Sequence, residues 1–257
     1  MPRTILASTA LFLALMAAPP VSAQQGTINY DRTVKIEIDL PPEMAHMADR
    51  FPESRTVKRV LHFTETETVM RDAPEQKLVE EERRRERQTN RGGDRVMIRM
   101  GQDGPEEILY TSLETEDTVQ RRNFMGRTFL INGQREPIKW KLSGEQSEYQ
   151  GYLTMRATAT VDTTEVEAWF TPQIPLPIGP DEYGGLPGAI LVLTVDEGRQ
   201  TYKATAVDLD AVPEIEQPED GREVTEEEFE KIVEEKMEEM RAQTGGRRGG
   251  FRVRINN

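Results

Sequence analysis

The side chains that could perform catalysis are few in this sequence. It has no cysteine and only two histidines, His46 and His62, so histidines and thiolates cannot combine into a zinc site of the usual kinds. Neither a Gly-x-Ser-x-Gly turn nor a phosphate-binding loop follows a predicted strand. Glu65 and Glu67 lie on one face of a predicted strand, the minimal arrangement for carboxylate acid–base catalysis. Because such pairs are common on exposed sheet faces, we favour a solvated face and expect no catalytic residue.

Met44, His46 and Met47 are the best candidates for metal binding. Methionine and histidine together can bind copper. Two methionines and one histidine without a thiolate are a sparse ligand set, so ordinary packing and surface exposure are favoured. We predict no metal site and no cofactor.

Four aromatic residues could form a ligand face. Trp140, Tyr152, Trp169 and Tyr183 could stack on a sugar or line an apolar pocket. The simpler interpretation, which we favour, is that they anchor a sheet by burial.

Alternation of apolar and polar residues dominates the chain and predicts about ten short strands. The run 189–195 is apolar on both faces, which predicts a central strand, whereas 152–161 alternates cleanly and predicts one wet face. The predicted strands are 28–39, 57–70, 95–100, 107–113, 118–131 with a turn near Gly126, 138–142, 152–161, 165–171, 189–195 and 199–209.

These strands predict a mainly β fold in which residues 24–211 form a single antiparallel twisted sheet or half-barrel. A polar insertion at about 72–94 interrupts the pattern with a block of glutamates and arginines of nearly balanced charge. We interpret the insertion as a solvated loop or frayed helix; the alternative is a docking site for a charged partner.

The C-terminal part changes its periodicity. Residues 212–224 are rich in proline and acidic residues and predict a linker, after which 225–242 has the pattern of an amphipathic helix. Thr225 and Glu228 form a capping box, and an apolar stripe includes Phe229. The tail, 243–257, is rich in glycine and arginine; it could add a strand to a sheet edge, and a disordered end is equally favoured.

The first 23 residues have the pattern of a secretory signal peptide. Arg3 precedes an apolar run, and Val21-Ser22-Ala23 fits a cleavage site, so we expect cleavage after Ala23 and secretion to the periplasm. Without a cysteine, the chain cannot be a lipoprotein anchored through that residue.

The net charge of −13 at pH 7 disfavours nucleic acid and anionic membrane surfaces as partners. Nothing beyond the signal reaches membrane-spanning length, so we expect no stable membrane insertion. The expected partner is an envelope protein or an apolar ligand, and the oligomeric state stays open.

The segment 172–188, which we call the signature loop, is the most distinctive part of the chain. It contains five prolines and four glycines, which fix some φ angles and permit positive φ at others. We favour a rigid structural crossover whose isoleucines and leucines pack on a core; the alternative is that the loop lines a binding cleft.

The signature loop resembles the GLPGLI family, whose hexapeptide is present here as Gly185-Leu186-Pro187-Gly188-Ala189-Ile190, with Ala189 in place of a leucine. That family consists of secreted proteins of Gram-negative envelopes with no assigned role, so the resemblance implies a compartment and no catalytic residue. It also covers Trp140, Gly151, Tyr152 and Trp169, and in the loop Pro172, Ile174, Pro175, Gly179 and Pro180. By architectural analogy, the sheet is similar to the periplasmic lipoprotein-carrier (LolA-like) half-barrel.

The resulting functional hypothesis is a secreted, non-enzymatic binding or accessory protein of the GLPGLI type. One alternative is a carrier of an apolar ligand or lipid, which requires an unfilled apolar concavity. The other is a glycan-directed enzyme, which requires clustered carboxylates beside aromatic residues in a cleft.

The signal peptide is directly testable. N-terminal sequencing of the exported protein should begin at Gln24, because the small residues at 21 and 23 are those that signal peptidase accepts. An intact Met1 on the exported protein would contradict this expectation.

Overall fold

The structure is a computed structural model that describes residues 25–39, 52–74, 107–243 and 252–254, with the backbone alone described at 37–39, 241, 243 and 252–254. The strands are β1 (Gly26–Lys35), β2 (Glu37–Asp39), β3 (Ser54–Phe63), β4 (Glu67–Asp72), β5 (Ile108–Ser112), β6 (Asp117–Phe124), β7 (Arg127–Gln134), β8 (Lys141–Tyr149), β9 (Tyr152–Val161), β10 (Thr164–Thr171), β11 (Ala189–Val195), β12 (Gln200–Asp208), β13 (Arg222–Thr225) and β14 (Arg252–Arg254). Helix α1 spans Glu226–Gln243.

Twelve of these strands form one open sheet in the order β13-β7-β6-β5-β4-β3-β1-β12-β11-β10-β9-β8. Its neighbouring strands are antiparallel except β13, which runs parallel to β7. Backbone pairing of β2 with β14 forms a separate two-stranded ladder. The mainly β prediction, with a single sheet and a C-terminal helix, is confirmed.

The sheet is strongly curved. Seven strands lie between β6 and β9, yet residues at the end of β9 line the same cleft as Gln120 and Arg122 of β6. The face that curves inward carries the main apolar core, to which β1, β3, β4, β5, β9, β10, β11 and β12 all contribute. Strand β11 lies within the sheet, and its Ala189, Ile190, Leu191 and Leu193 are fully buried, as expected for a central strand.

Several sequence-based boundaries are wrong for local reasons. The predicted strand 28–39 is two strands, since β1 ends at Lys35 and β2 pairs with β14 outside the main sheet. The predicted strand 57–70 is two strands, because a turn at Thr64 ends β3 and its hydroxyl accepts the backbone N–H of Glu67 at 3.2 Å. Strand β8 begins at Lys141 and continues past the predicted 138–142 to a hairpin turn. There Gln150 and Gly151 both have positive φ, as a type I′ turn requires.

The predicted linker 212–224 also ends too late, because strand β13 occupies Arg222–Thr225. The helix begins at Glu226, one residue after the predicted start at 225, and ends at Gln243. The predicted strand 95–100 and the insertion from residue 75 onward lie outside the described residues, and β4 continues to Asp72, at the insertion's expected start.

Helix α1 is capped and docked as its pattern predicts. The Thr225 hydroxyl accepts the Glu228 N–H at 3.2 Å, and the Glu228 carboxylate accepts the Thr225 N–H at 3.1 Å. Phe229 contacts Phe129 with ring centroids 5.4 Å apart and Phe124 with centroids 6.2 Å apart. In the described part of the chain, no helix is both long and apolar enough to cross a membrane.

Replacing Phe229 with Ala should lower the free energy of unfolding by about 3 kcal/mol, because the side chain is 6% exposed and packs edge-on against two rings. Met237→Ala is the matched control on the same helix, since Met237 is 37% exposed; its cost should be below about 0.5 kcal/mol. Equal losses in chemical denaturation would show that the helix is not anchored at Phe229.

Candidate functional site

The signature loop, between β10 and β11, covers the concave face of the sheet. Its Ile174, Ile178 and Leu186 are almost completely buried in the main core. The backbone N–H groups of Ala189 and Ile190 donate to the carbonyls of Ile174 and Ile178, each at 3.0 Å. The loop is therefore pinned to β11 and fills the apolar concavity of the sheet.

Close backbone contact accounts for a glycine at the end of the loop. A Cβ on Gly188 would lie 2.2 Å from the carbonyl oxygen of Thr171, so only glycine fits at this position without displacement. Gly185 differs: its φ of +83° favours glycine, but a Cβ there would meet no atom within 4 Å.

The loop also carries polar residues into a cleft of about 400 Å³ on the same concave face. Asp181, Glu182 and Tyr183 line this cleft opposite strands β1, β5, β6 and β12. A neighbouring cleft of about 330 Å³ shares Gln120, Arg122, Glu182 and Tyr183 with it. A site of this size can hold a small molecule.

Asp181 fastens the loop to the sheet. Its Oδ1 accepts a hydrogen bond from Nη2 of Arg59 at 3.4 Å, and its Oδ2 accepts one from the Tyr202 hydroxyl. Arg59 also donates through Nη1 to Asp72 at 3.2 Å, and its side chain is 5% exposed. Burial raises the pKa of Tyr202, so its hydroxyl stays protonated and donates the hydrogen bond to Asp181.

Glu182 lies beside this anchor, lines the cleft and is exposed to solvent. Desolvation by the surrounding protein and the neighbouring charge of Asp181 raise its pKa above the ordinary value of 4.5. Arg32 and Arg122 act in the opposite direction, and both line the same cleft as this carboxyl group. Glu182 is thus one of the carboxyl groups of the cleft lining that have no ion-pair partner in the described part of the chain, and Arg32 and Arg122 belong to the same lining.

The catalytic and metal candidates from the sequence do not gather at this site. Glu65 lies in the turn between β3 and β4 and Glu67 begins β4, so the prediction that they share one strand face is wrong. Glu67 accepts the Tyr110 hydroxyl at 2.6 Å. His62, in β3, has its pKa lowered by burial and by Arg71. Met44, His46 and Met47 lie outside the described residues, and no group of three or more potential ligands among His, Cys, Asp and Glu occurs within 25–39, 52–74 and 107–243.

The four candidate aromatic residues do not form one ligand face. Trp169 shares the outer face of β10 with Glu167, to which its indole N–H donates at 3.1 Å, because alternate residues of a strand point to opposite sides. Trp140 and Tyr152 are partly buried and pack against the main core, and the Trp140 indole donates to the Gly184 carbonyl at 2.8 Å. Only Tyr183 lines the cleft.

The charged residues of the cleft were missed by sequence reasoning, although a signal for them exists. Arg32 follows Ile28 and Tyr30 at a spacing of two, and Arg59 precedes Leu61 and Phe63 in the same way. The period of a strand therefore places both arginines on the buried face. Asp181-Glu182 is likewise the only acidic pair within an otherwise apolar signature loop.

Comparison with known proteins gives a family match and a fold. The family described as "Protein of unknown function (Porph_ging)" matches residues 159–192, which include the whole signature loop. A sequence search of curated proteins finds no match. The GLPGLI resemblance remains a prediction.

Two solved structures have a similar fold. "Structure of PNGF-II in P21 space group" has a TM-score of 0.53 and 14% identity, with 82% of this chain and 33% of that chain covered. "Structure of PNGF-II in C2 space group" has a TM-score of 0.52 and 13% identity over the same shares. This chain thus spans a third of the length of those proteins. The expected LolA-like architecture is not confirmed.

The fit at the end of the signature loop is testable with one added methyl group. Gly188→Ala should lower the free energy of unfolding by about 3 kcal/mol, because the new Cβ would overlap the Thr171 carbonyl. Gly185→Ala is the control: it adds backbone strain without a clash and should cost about 1 kcal/mol. If thermal and chemical unfolding show the same loss for both variants, close packing at Gly188 is not the reason for glycine there.

Proposed function

We propose that this chain is a secreted, non-enzymatic binding protein of the bacterial envelope, and that it holds a small polar ligand in the cleft beneath the signature loop. The observation that carries the proposal is the charged lining of that cleft. Arg32, Arg59 and Arg122 line it, and the Nε of each is buried without a hydrogen-bond partner in the described part of the chain. Buried donors of this kind are normally paired, and because these arginines line the open cleft, a polar molecule bound there would meet their charge.

A polar ligand fits this site better than an apolar one. The apolar part of the concavity is occupied by the protein's own Ile174, Ile178 and Leu186. The volume that stays open is lined by arginines, carboxylates, Gln120 and Gln200 as well as by Ile108, Leu109, Val161 and Val195. An apolar ligand would strip the polar groups of water without replacing their hydrogen bonds.

Binding also fits the cleft better than hydrolysis. The two catalytic carboxyl groups of a glycoside hydrolase must both be free to act on the substrate. Here both oxygens of Asp181, the carboxylate next to Glu182 in the loop, are engaged, one by Arg59 and one by Tyr202. Asp181 is therefore best explained as an anchor of the loop.

The envelope location rests on the N-terminal pattern and on the GLPGLI resemblance. The family match over 159–192 supports a role for the signature loop that is common to other chains, although that family has no assigned function. The likeness to the PNGF-II structures supports the architecture and adds no activity.

Filling the cleft should abolish ligand capture. Purified protein is equilibrated with the low-molecular-mass fraction of an envelope extract, recovered by gel filtration and analysed by mass spectrometry. The unmodified chain should retain a small polar molecule, and Gln120→Trp should not, since Gln120 lines the cleft and the indole would occupy it.

Gln146→Trp is the matched control, because Gln146 is exposed on the edge strand β8. It should retain the same molecule, and thermal unfolding should show that both variants are folded. Failure of the unmodified chain to retain any molecule, or equal retention by Gln120→Trp, would contradict the proposal. A change in the mass of the bound molecule during incubation would contradict a non-enzymatic role.

A further inference from the structure

Arg32 and Arg122 approach the cleft from different walls of the curved sheet. Arg32 lies on β1 and Arg122 on β6, and three strands separate β1 from β6. Both nevertheless line one cleft, together with Glu182, whose pKa both lower. The curvature of the sheet therefore brings two cations into one cleft.

Each guanidinium group is held by an aromatic ring. The Cζ atom of Arg32 lies 5.8 Å from the ring centroid of Tyr202, and that of Arg122 lies 5.8 Å from the ring centroid of Phe229. Contact with a ring orients the planar group without using its N–H donors. The N–H donors of both guanidinium groups therefore stay available for other partners.

Protein partners for these donors are scarce. Within the described ranges, the Nε of Arg32 and the Nε of Arg122 have none, and neither arginine lies within ion-pair distance of Glu182. The contact of Arg122 with Glu226, at 3.8 Å, involves a carboxylate that is half exposed. By contrast, Arg59 is satisfied at both Nη atoms by Asp72 and Asp181.

We infer that Arg32 and Arg122 form an anion site, and that the ligand of the cleft is a small molecule carrying one carboxylate or phosphate group with hydroxyl or amino groups beside it. The planar fork of a guanidinium group matches the oxygens of a carboxylate or phosphate. This inference rests on the proposed binding role and specifies its ligand class.

The acidic residues around the site define the rest of the ligand. Asp181 is neutralised by Arg59, and Asp196 by Arg199 at 2.9 Å. Glu107, Asp162 and Glu182 remain as acceptors in the cleft lining. They would repel a ligand of high negative charge and accept hydrogen bonds from hydroxyl or amino groups. The net negative charge of the whole chain also disfavours ligands of high negative charge.

Three sugars that differ in one substituent test the assignment. Glucuronate carries a carboxylate, glucose 6-phosphate carries a phosphate, and glucose is uncharged. In titrations at constant ionic strength, the NMR signals of the arginine Nε–H groups of ¹⁵N-labelled protein report binding directly. The Arg32 and Arg122 signals should shift with at least one anionic sugar and stay unchanged with glucose, and the sugar that binds identifies the preferred anion.

Arg32→Gln should weaken binding of that sugar by about tenfold or more, since a charge-assisted contact to an anion is lost. Arg32→Lys keeps the charge without the fork and should give an intermediate loss. Arg127→Gln is the matched control, because Arg127 is exposed and does not line the cleft. Thermal unfolding checks that each variant is folded.

The inference is overturned if neither anionic sugar shifts the Arg32 and Arg122 signals, if glucose shifts them equally, or if Arg127→Gln weakens binding as much as Arg32→Gln. Capture of an uncharged molecule that Gln120→Trp abolishes would overturn the anion assignment and leave the binding role intact. Absence of any captured molecule, together with anion binding that Arg32→Gln removes, would support the anion site and contradict a resident ligand from the envelope.

Discussion

The structure depends on covering the concave face of an open, curved sheet. A closed barrel shields its interior by its own curvature, whereas this sheet leaves β13 and β8 at separate ends and must fill its apolar hollow with another segment. The signature loop does so with Ile174, Ile178 and Leu186. Its prolines restrict the unfolded loop, so ordering it costs less conformational entropy than ordering a flexible segment of equal length. The same stiffness fixes where its polar residues emerge.

Core and cleft are parts of one packing arrangement. Asp181 is three residues from the buried Ile178, so the segment that fills the hollow also delivers the carboxylate that pairs with Arg59. A guanidinium group as buried as that of Arg59 is costly without partners, and two carboxylates from different segments pair with its Nη atoms. Removal of Asp181 would leave a buried cation with one partner. The loop thus stabilises the charge of Arg59 on β3, and its ion pair with Arg59 holds the loop in place.

The sequence predicted the parts of the fold that local patterns determine. The apolar run of β11 identified a central strand, and the Thr225–Glu228 capping box identified the helix start to within one residue. Strand β13 was missed because four residues are too few to show alternation, and its formation depends on pairing with β7. The cleft was missed for a related reason. Glu65 and Glu67 are close in sequence, whereas Arg32, Arg122 and Asp181 meet only through the curvature of the sheet.

The contact between Arg122 and Phe229 joins the cleft to the C-terminal helix. The ring of Phe229 packs on β7 and also contacts the guanidinium group of Arg122 in the cleft lining. Opening of the first turns of α1 would therefore free Arg122 to move. By thermodynamic linkage, a ligand that holds Arg122 in place must shift the helix toward its docked state by the same free energy. Backbone amides early in α1 would then exchange with solvent more slowly in the liganded protein, and the helix would report occupancy of a site on the sheet.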